Sequence, residues 1–311
     1  MVASCLSLVS LYGSYLRRCL ASAGLSSQTI DIDSDTSMHF WGPNRTNSST
    51  TNSKPPLILI QGFGPHGIWQ WRPQIVFFSC EFDLYVPDLL FFGESYTKSS
   101  DRSEVFQAIC VTKLLEKLGI QKYSVVGTSY GGFVAYHMAA KWPERVKKVV
   151  IASSGVNLRR RDNDELLKRA KVEKIDELML PATAGQLRTL MGLSVFRRTY
   201  MPDFLLNDFI DKWYSDNRKE KLELLKGLSL GRDDTVNISP LPQVHHAHLK
   251  CKPIIFLGFV LGKSDQFAGI VDCVGRTRQD IPIRKSSRTQ EIARGEGEIT
   301  SHKEHFTCSS T

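Results

Sequence analysis

A serine with a glycine two residues to either side, Gly127-Thr128-Ser129-Tyr130-Gly131-Gly132, stands between an apolar run ending at Val126 and an amphipathic segment beginning at Gly131. A strand-to-helix turn at that place holds the serine in a strained backbone conformation, and only small neighbours let strand and helix approach. The hydroxyl would project over the C-terminal edge of a sheet at a helix N-terminus, where the dipole favours developing negative charge. That pattern is a nucleophile elbow for acyl transfer, with Ser129 as the attacking group.

A tetrahedral intermediate needs two backbone N–H donors for its oxyanion, and the elbow supplies one, from Tyr130. The second is expected from the loop after an earlier strand. Gln61-Gly62-Phe63-Gly64 follows the apolar run Leu57 to Ile60, which points to the N–H of Phe63. Alone, that loop reads as a flexible turn; it gains meaning from Ser129. His66, Trp69 and Trp71 read as loop packing, Asp88 as a turn residue serving the backbone, and Arg159 to Arg161 as a solvated helix face. No cofactor is implied. Seven cysteines without CxxC pairs indicate neither a disulfide framework nor a zinc site, and His245, His246 and His248, spaced as a metal could use them, read as a polar surface cluster.

The elements that must position these groups alternate. Strands are expected at Leu57 to Ile60, Phe82 to Val86, Tyr123 to Val126 and Val146 to Ala152, with helices at Glu104 to Leu118, stopped by Gly119, and Gly131 to Lys141, stopped by Trp142-Pro143. Alternation of this kind means a mostly parallel sheet covered by helices. A charged, helix-forming stretch follows, with helices expected at Asn163 to Val172, Ala184 to Leu190, Asp203 to Trp213 and Arg218 to Lys226, which reads as a helical lid. The organisation is therefore residues 1–54 as an N-terminal helix and polar linker, 55–158 as the first part of an α/β core, 159–236 as the lid and 237–311 as an aberrant, disordered tail.

Of 311 residues, 41% are hydrophobic and 23% charged, the composition of a globular protein rather than of a coiled coil or a disordered chain. The formal charge of +8 is dispersed, so no nucleic-acid partner is indicated. No apolar run is long enough to span a bilayer. The first residues lack the positive n-region of a signal peptide, and Arg17-Arg18 interrupts the segment, so the alternative is an amphipathic helix with Leu8, Leu11, Tyr12, Tyr15 and Leu16 on one side, lying on the domain or on a membrane. The expected location is cytoplasmic, with peripheral membrane contact left open.

The stretches ILIQGFGPHGIWQWRPQ, VPDLLFFGES, YSVVGTSYGGFVAYHMA and WPERVKKVVIASSGVNLRRRD resemble the plant α/β-hydrolases similar to monoacylglycerol lipases. The resemblance runs from about Thr36 to Pro242. It implies an α/β-hydrolase fold with a helical lid and a serine hydrolase acting on small-molecule carboxylic esters such as acylglycerols, with Ser129 as nucleophile and Phe63 and Tyr130 as oxyanion donors. Gln61 departs from the family, which usually has histidine there.

Serine needs a histidine base and a carboxylate to orient it, in the chain order Ser, Asp, His for this fold. The family's WGxxDxIFP and SHxPQ segments are absent in frame, so the last strands and helix are expected to be missing. Gly269 to Thr311 can, however, be back-translated so that the next reading frame contains WGEQDKIFP and ends in SHVPQ. Val244 to Ala268, 25 codons, plus one nucleotide lie between codons compatible with a splice donor and acceptor, a length not divisible by three. The expectation is a retained intron followed by the proper exon in the wrong frame, with activity of this chain impaired. Asp265 and His302 mimic the missing partners in frame. The alternative function is a non-catalytic binder of a small apolar ligand on the same fold.

Overall fold

The computed structural model describes residues 7–44, 54–194 and 201–230, together with Ile238 and Leu241. The four expected strands form, as β3 (Pro56–Ile60), β4 (Asp83–Pro87), β6 (Tyr123–Thr128) and β7 (Val146–Ala152). They are parallel neighbours in the order β4-β3-β6-β7. Every residue of β6 is buried, as is expected of a central parallel strand covered on both faces.

Two further strands lie in the region read as a helix and linker. β1 (Leu25–Asp31) and β2 (Thr36–Pro43) make an antiparallel hairpin from Leu25↔Pro43 to Asp31↔Ser37, and β2 pairs antiparallel with β4. A short β5 (Tyr96–Thr97) adds to β2. The sheet is thus mostly parallel with an antiparallel end. β1 escapes a sequence reading because it is an edge strand of Ser, Gln and Thr whose apolar content is small, while β2 is buried over Thr36 to Gly42 and has no alternation to read.

Helices α3 (Glu104–Lys117) and α4 (Tyr130–Lys141) follow expectation, and Gly119 takes the left-handed φ of +73° that ends α3. α2 (Gly67–Phe78) replaces what reads as a glycine-rich loop, and Pro73 sits inside it. α2 packs on β3 and β4, and α4 on β3, β6 and β7.

The segment read as a lid holds α5 (Arg160–Ala170), α6 (Ile175–Met179), α7 (Ala184–Ser194), α8 (Asp203–Trp213) and α9 (Arg218–Gly227), with no strand among its described residues. α5 starts earlier than its apolar pattern suggests because the Asp162 carboxylate accepts the Arg159 N–H at 2.8 Å. α6, five residues long, is too short to show a period.

α1 (Leu8–Ser22) lies on the domain, against α2, α8 and β1, with a face that includes Leu16 and Tyr12 of the expected one but not Leu8, Leu11 and Tyr15. Val9, Gly13, Leu16 and Leu20 are buried, whereas Leu8, Leu11 and Tyr15 stand in solvent. Among the described residues no helix is long and apolar enough to cross a membrane. Among the described residues Cys19 and Cys110 are free and Cys80 is disulfide-bonded, which the cysteine spacing did not announce.

Candidate active site

The elbow forms where the glycine spacing places it. Ser129 joins β6 to α4 at φ 51°, ψ −119°, a left-handed backbone that an L side chain adopts only under constraint. The constraint is visible in three hydrogen bonds: Ser129 N–H to the Ala152 carbonyl at 3.0 Å, Gly132 N–H to the Ser129 carbonyl at 2.9 Å, and the Ser154 hydroxyl to that same carbonyl at 2.6 Å. β7 thereby grips the turn from its far side. The Ser129 hydroxyl makes no capping bond to α4, and its residue is half-buried, so it remains available above the sheet edge.

The flanking glycines are required by backbone proximity. A Cβ on Gly127 would lie 2.1 Å from the Gly131 carbonyl oxygen, and one on Gly131 would lie 2.3 Å from that of Gln61. The Gln61-to-Gly64 loop is therefore pressed against the elbow. A Cβ on Gly62 would stand 2.9 Å from Ser129 Cβ, and the Phe63 ring meets the Tyr130 ring with centroids 5.9 Å apart. The structure thus brings Phe63, Ser129 and Tyr130 together.

Sequence reading missed the side chain that shapes this loop. Gln70, on the first turn of α2, accepts the Gly62 N–H at 2.8 Å and donates to the carbonyls of Gly62 at 3.2 Å and Pro65 at 2.9 Å. Inside what read as a loop, one amide between two tryptophans carried no signal. Gln61 is fully buried, and neither atom of its side-chain amide finds a partner among the described residues.

No hydrogen bond joins any of the three described histidines to Ser129. His39 Nδ1 lies 2.8 Å from Asp88 Oδ2, and its Nε2 lies 2.7 Å from the Ser27 hydroxyl. Burial pulls the His39 pKa down most strongly, but the Asp88 hydrogen bond and charge outweigh it and the net direction is up. Asp88 Oδ1 also accepts the Gly67 N–H at 3.4 Å, so Asp88 serves backbone and strand as expected, with His39 as an unforeseen partner. The His66 ring packs edge-on against Trp213 at 4.2 Å, and burial lowers its pKa. Trp69 and Trp71 are buried, so all three residues of the GPHGIWQW stretch pack rather than line a charge relay.

The third histidine, His137, stands 3.4 Å from the carboxylate of Glu104, which is fully buried at the start of α3. Glu104 also accepts the Ser229 N–H at 2.9 Å, the Ser229 hydroxyl at 2.5 Å and the Leu230 N–H at 3.2 Å. Burial opposes its charge, yet these donors prevail and hold the carboxyl at about 2. Glu104 thus pins the end of the lid helices to the core. From sequence it reads as an acid in a helix first turn.

Tyr214 reaches the loop from the lid side. The Tyr214 hydroxyl would meet a Cβ on Gly64 at 3.0 Å, and Lys221 Nζ donates to the Trp213 carbonyl at 2.8 Å, its amine pushed down to about 8 by burial. Among the described residues no group of three His, Cys, Asp or Glu could hold a metal. Asp265, His302, His245, His246 and His248 lie outside the described residues, as does the rest of the tail.

Comparison with known proteins agrees with this geometry. The profile of a family described as alpha/beta hydrolase fold matches residues 55–237, more than half of the chain. A mouse protein named epoxide hydrolase 4 is 29% identical over 100 residues, 32% of this chain and 28% of that protein. The human (lyso)-N-acylphosphatidylethanolamine lipase is 30% identical over 110 residues, 34% of this chain and 32% of that protein. The chain spans about a third of the length of these relatives. A putative lipase from Acinetobacter baumannii AYE superposes with a TM-score of 0.54 at 20% identity, covering 70% of this chain and 69% of that one, a likeness of fold.

Proposed function

The chain belongs to the alpha/beta hydrolase fold family, and from that premise we propose that its gene specifies a serine hydrolase of small carboxylic esters, acylglycerols included. The observation that carries this reading is Ser129 at φ 51° between β6 and α4, its hydroxyl uncommitted and the Gln61-Gly62 backbone packed against the turn. Ser129 Oγ attacks the acyl carbonyl, the N–H groups of Phe63 and Tyr130 hold the oxyanion, the alcohol leaves with a proton, and water releases the acid from the acyl-enzyme. A nitrogenous base must take the serine proton. None of His39, His66 and His137 is hydrogen-bonded to Ser129: Asp88 holds His39, the Trp213 ring packs on His66, and His137 faces Glu104.

The base and its carboxylate therefore come from outside the described residues. Asp265 and His302 are the in-frame candidates, and the shifted-frame WGEQDKIFP and SHVPQ the alternative. On the retained-intron reading this chain turns over slowly, with oxyanion and binding terms alone leaving about 10³ to 10⁴-fold over water. The same engagement of the three histidines favours a second reading, a non-catalytic binder of a small apolar ligand.

Hydrolysis of p-nitrophenyl butyrate by the chain and by Ser129→Ala tests the assignment. Turnover that disappears in Ser129→Ala supports the hydrolase; turnover indifferent to Ser129, or none beside ligand-induced thermal stabilisation, supports the binder. Sequencing the transcript across the codons for Pro242 to Gly275 tests the intron, which genomic codons without splice signals would exclude.

A further inference from the structure

Eight large apolar side chains are exposed among the described residues, and six of them lie on three helices packed in a row: Leu8, Leu11 and Tyr15 on α1, Val76 and Phe77 on α2, and Phe204 on α8. Scattered apolar residues need no explanation, but this concentration does. On α1 the three recur at helical spacing, opposite in part to the buried Val9, Gly13 and Leu20, so the helix is apolar toward the core and again toward solvent.

On α1 and α2 the charges have one sign, while α8 adds the exposed Asp203 and Asp211 beside Lys212. α1 and α2 together carry Arg17, Arg18 and Arg72 and no carboxylate. Arg17 and Arg18 are exposed, and the Arg72 guanidinium lies 5.5 Å from the centroid of the Tyr15 ring while donating to the Tyr12 hydroxyl at 2.7 Å. On neighbouring α8, Asp208 is occupied: it accepts the Ser7 hydroxyl at 2.7 Å and the Val9 N–H at 3.0 Å, capping α1. Leucines and aromatic rings at the tip with arginines at the rim are the composition of a helix seated at the boundary between acyl chains and anionic headgroups.

We propose that the α1 and α2 face docks this protein on an anionic lipid bilayer, with Leu11 and Tyr15 entering the interface and Arg17 and Arg18 meeting headgroup phosphates. The docking stands apart from turnover, yet its helices reach the candidate site. Tyr12 packs on Trp69, Trp69 on Trp213 and Trp213 on His66, with ring centroids 5.2, 4.9 and 4.2 Å apart, so the docked helix is joined through aromatic contacts to the oxyanion loop.

Flotation of the full chain with phosphatidylcholine vesicles, with and without phosphatidylglycerol, tests this. Flotation with phosphatidylglycerol vesicles is expected, weakened by salt, weakened at least about tenfold in Leu11→Glu/Tyr15→Glu and less in Arg18→Glu, and unchanged in Ser129→Ala. Thermal melting of each variant shows that these exposed positions leave the fold intact; if the double variant melts early, Arg18→Glu alone decides. Absence of flotation, or flotation equal in all the variants, overturns the proposal. So does a concentration-dependent dimer that the α1 substitutions dissolve, since the face would then belong to a second copy.

Discussion

The elbow and the lid helices are held in place by different physics. Around Ser129 the chain is fixed by backbone against backbone: Gly127, Gly131 and Gly62 admit contacts that no side chain could survive, and the hydrogen bonds there run between main-chain groups of β6, β7 and α4, with the Ser154 hydroxyl adding one. The lid is fixed at a few side-chain anchors. Besides Glu104 on Ser229 and Leu230, the Asn217 amide donates to the Phe91 carbonyl at 3.3 Å, Arg102 pairs with Glu223 at 3.0 Å, and Arg218 donates to the Leu180 carbonyl at 2.6 Å. Steric closeness is indifferent to pH and salt, whereas anchors made of ionised groups answer to both. Ser129 thus sits on the part fixed by backbone contact, while the lid hangs on contacts that answer to pH and salt.

The sharpest way to break the elbow side of this contrast is Gly131→Ala, which would drive a methyl to within 2.3 Å of the Gln61 carbonyl oxygen. A loss of about 3 kcal/mol or more is expected, read from a urea melt. On the lid side, Glu104→Ala leaves the Ser229 and Leu230 donors without their acceptor and should cost about 2 to 4 kcal/mol. The charge itself has a pH window. With the folded carboxyl at about 2 against an ordinary 4.5, its contribution is complete above 4.5 and drains away as pH falls toward 2, so the acid-unfolding midpoint should move in Glu104→Gln and stay put in an elbow variant.

Gln70→Ala separates the two regions more finely, because it spares both elbow and lid and frees only the loop between them. A loss of about 1 to 2 kcal/mol is expected with any Ser129-dependent ester turnover falling about tenfold. Smallest is Lys221→Met, at about 1 kcal/mol or less at neutral pH. The amine's folded value of about 8, below its ordinary 10.5, disfavours the charged folded form, so wild-type stability should rise between pH 8 and 10.5. In the methionine variant that rise is absent, and a melt series across that range checks it.

Legibility in the sequence followed the range of the interactions. α8 was readable to the residue, Asp203 to Trp213, because an amphipathic stripe is written within it, and the elbow was readable because its glycines lie two positions from Ser129. β1 and β2 were not, since a polar edge strand and a fully buried one both lack the alternation that marks a strand. α2 was hidden behind Gly64, Pro65, Gly67 and Pro73, residues that locally signal a turn and are overruled by packing on β3 and β4. The face of α1 was misassigned in part for the same reason: Leu16 and Tyr12 do pack on the domain, but Leu8, Leu11 and Tyr15 form a second apolar stripe, and only α2, α8 and β1 choose between the two.

By itself, then, the sequence determined the parallel β3, β4, β6 and β7 strands, the strained turn at Ser129 and the helical character of α5 and α7 to α9, all of them features encoded within a few neighbouring residues. Only the tertiary structure decided that Gln70 shapes the loop beside Ser129, that Glu104 ties down Ser229 across 125 positions, and that α1 shows a second apolar face to solvent. Such contacts join residues far apart in the chain, and their partners are set by how the elements pack, which no local spacing of residue types records.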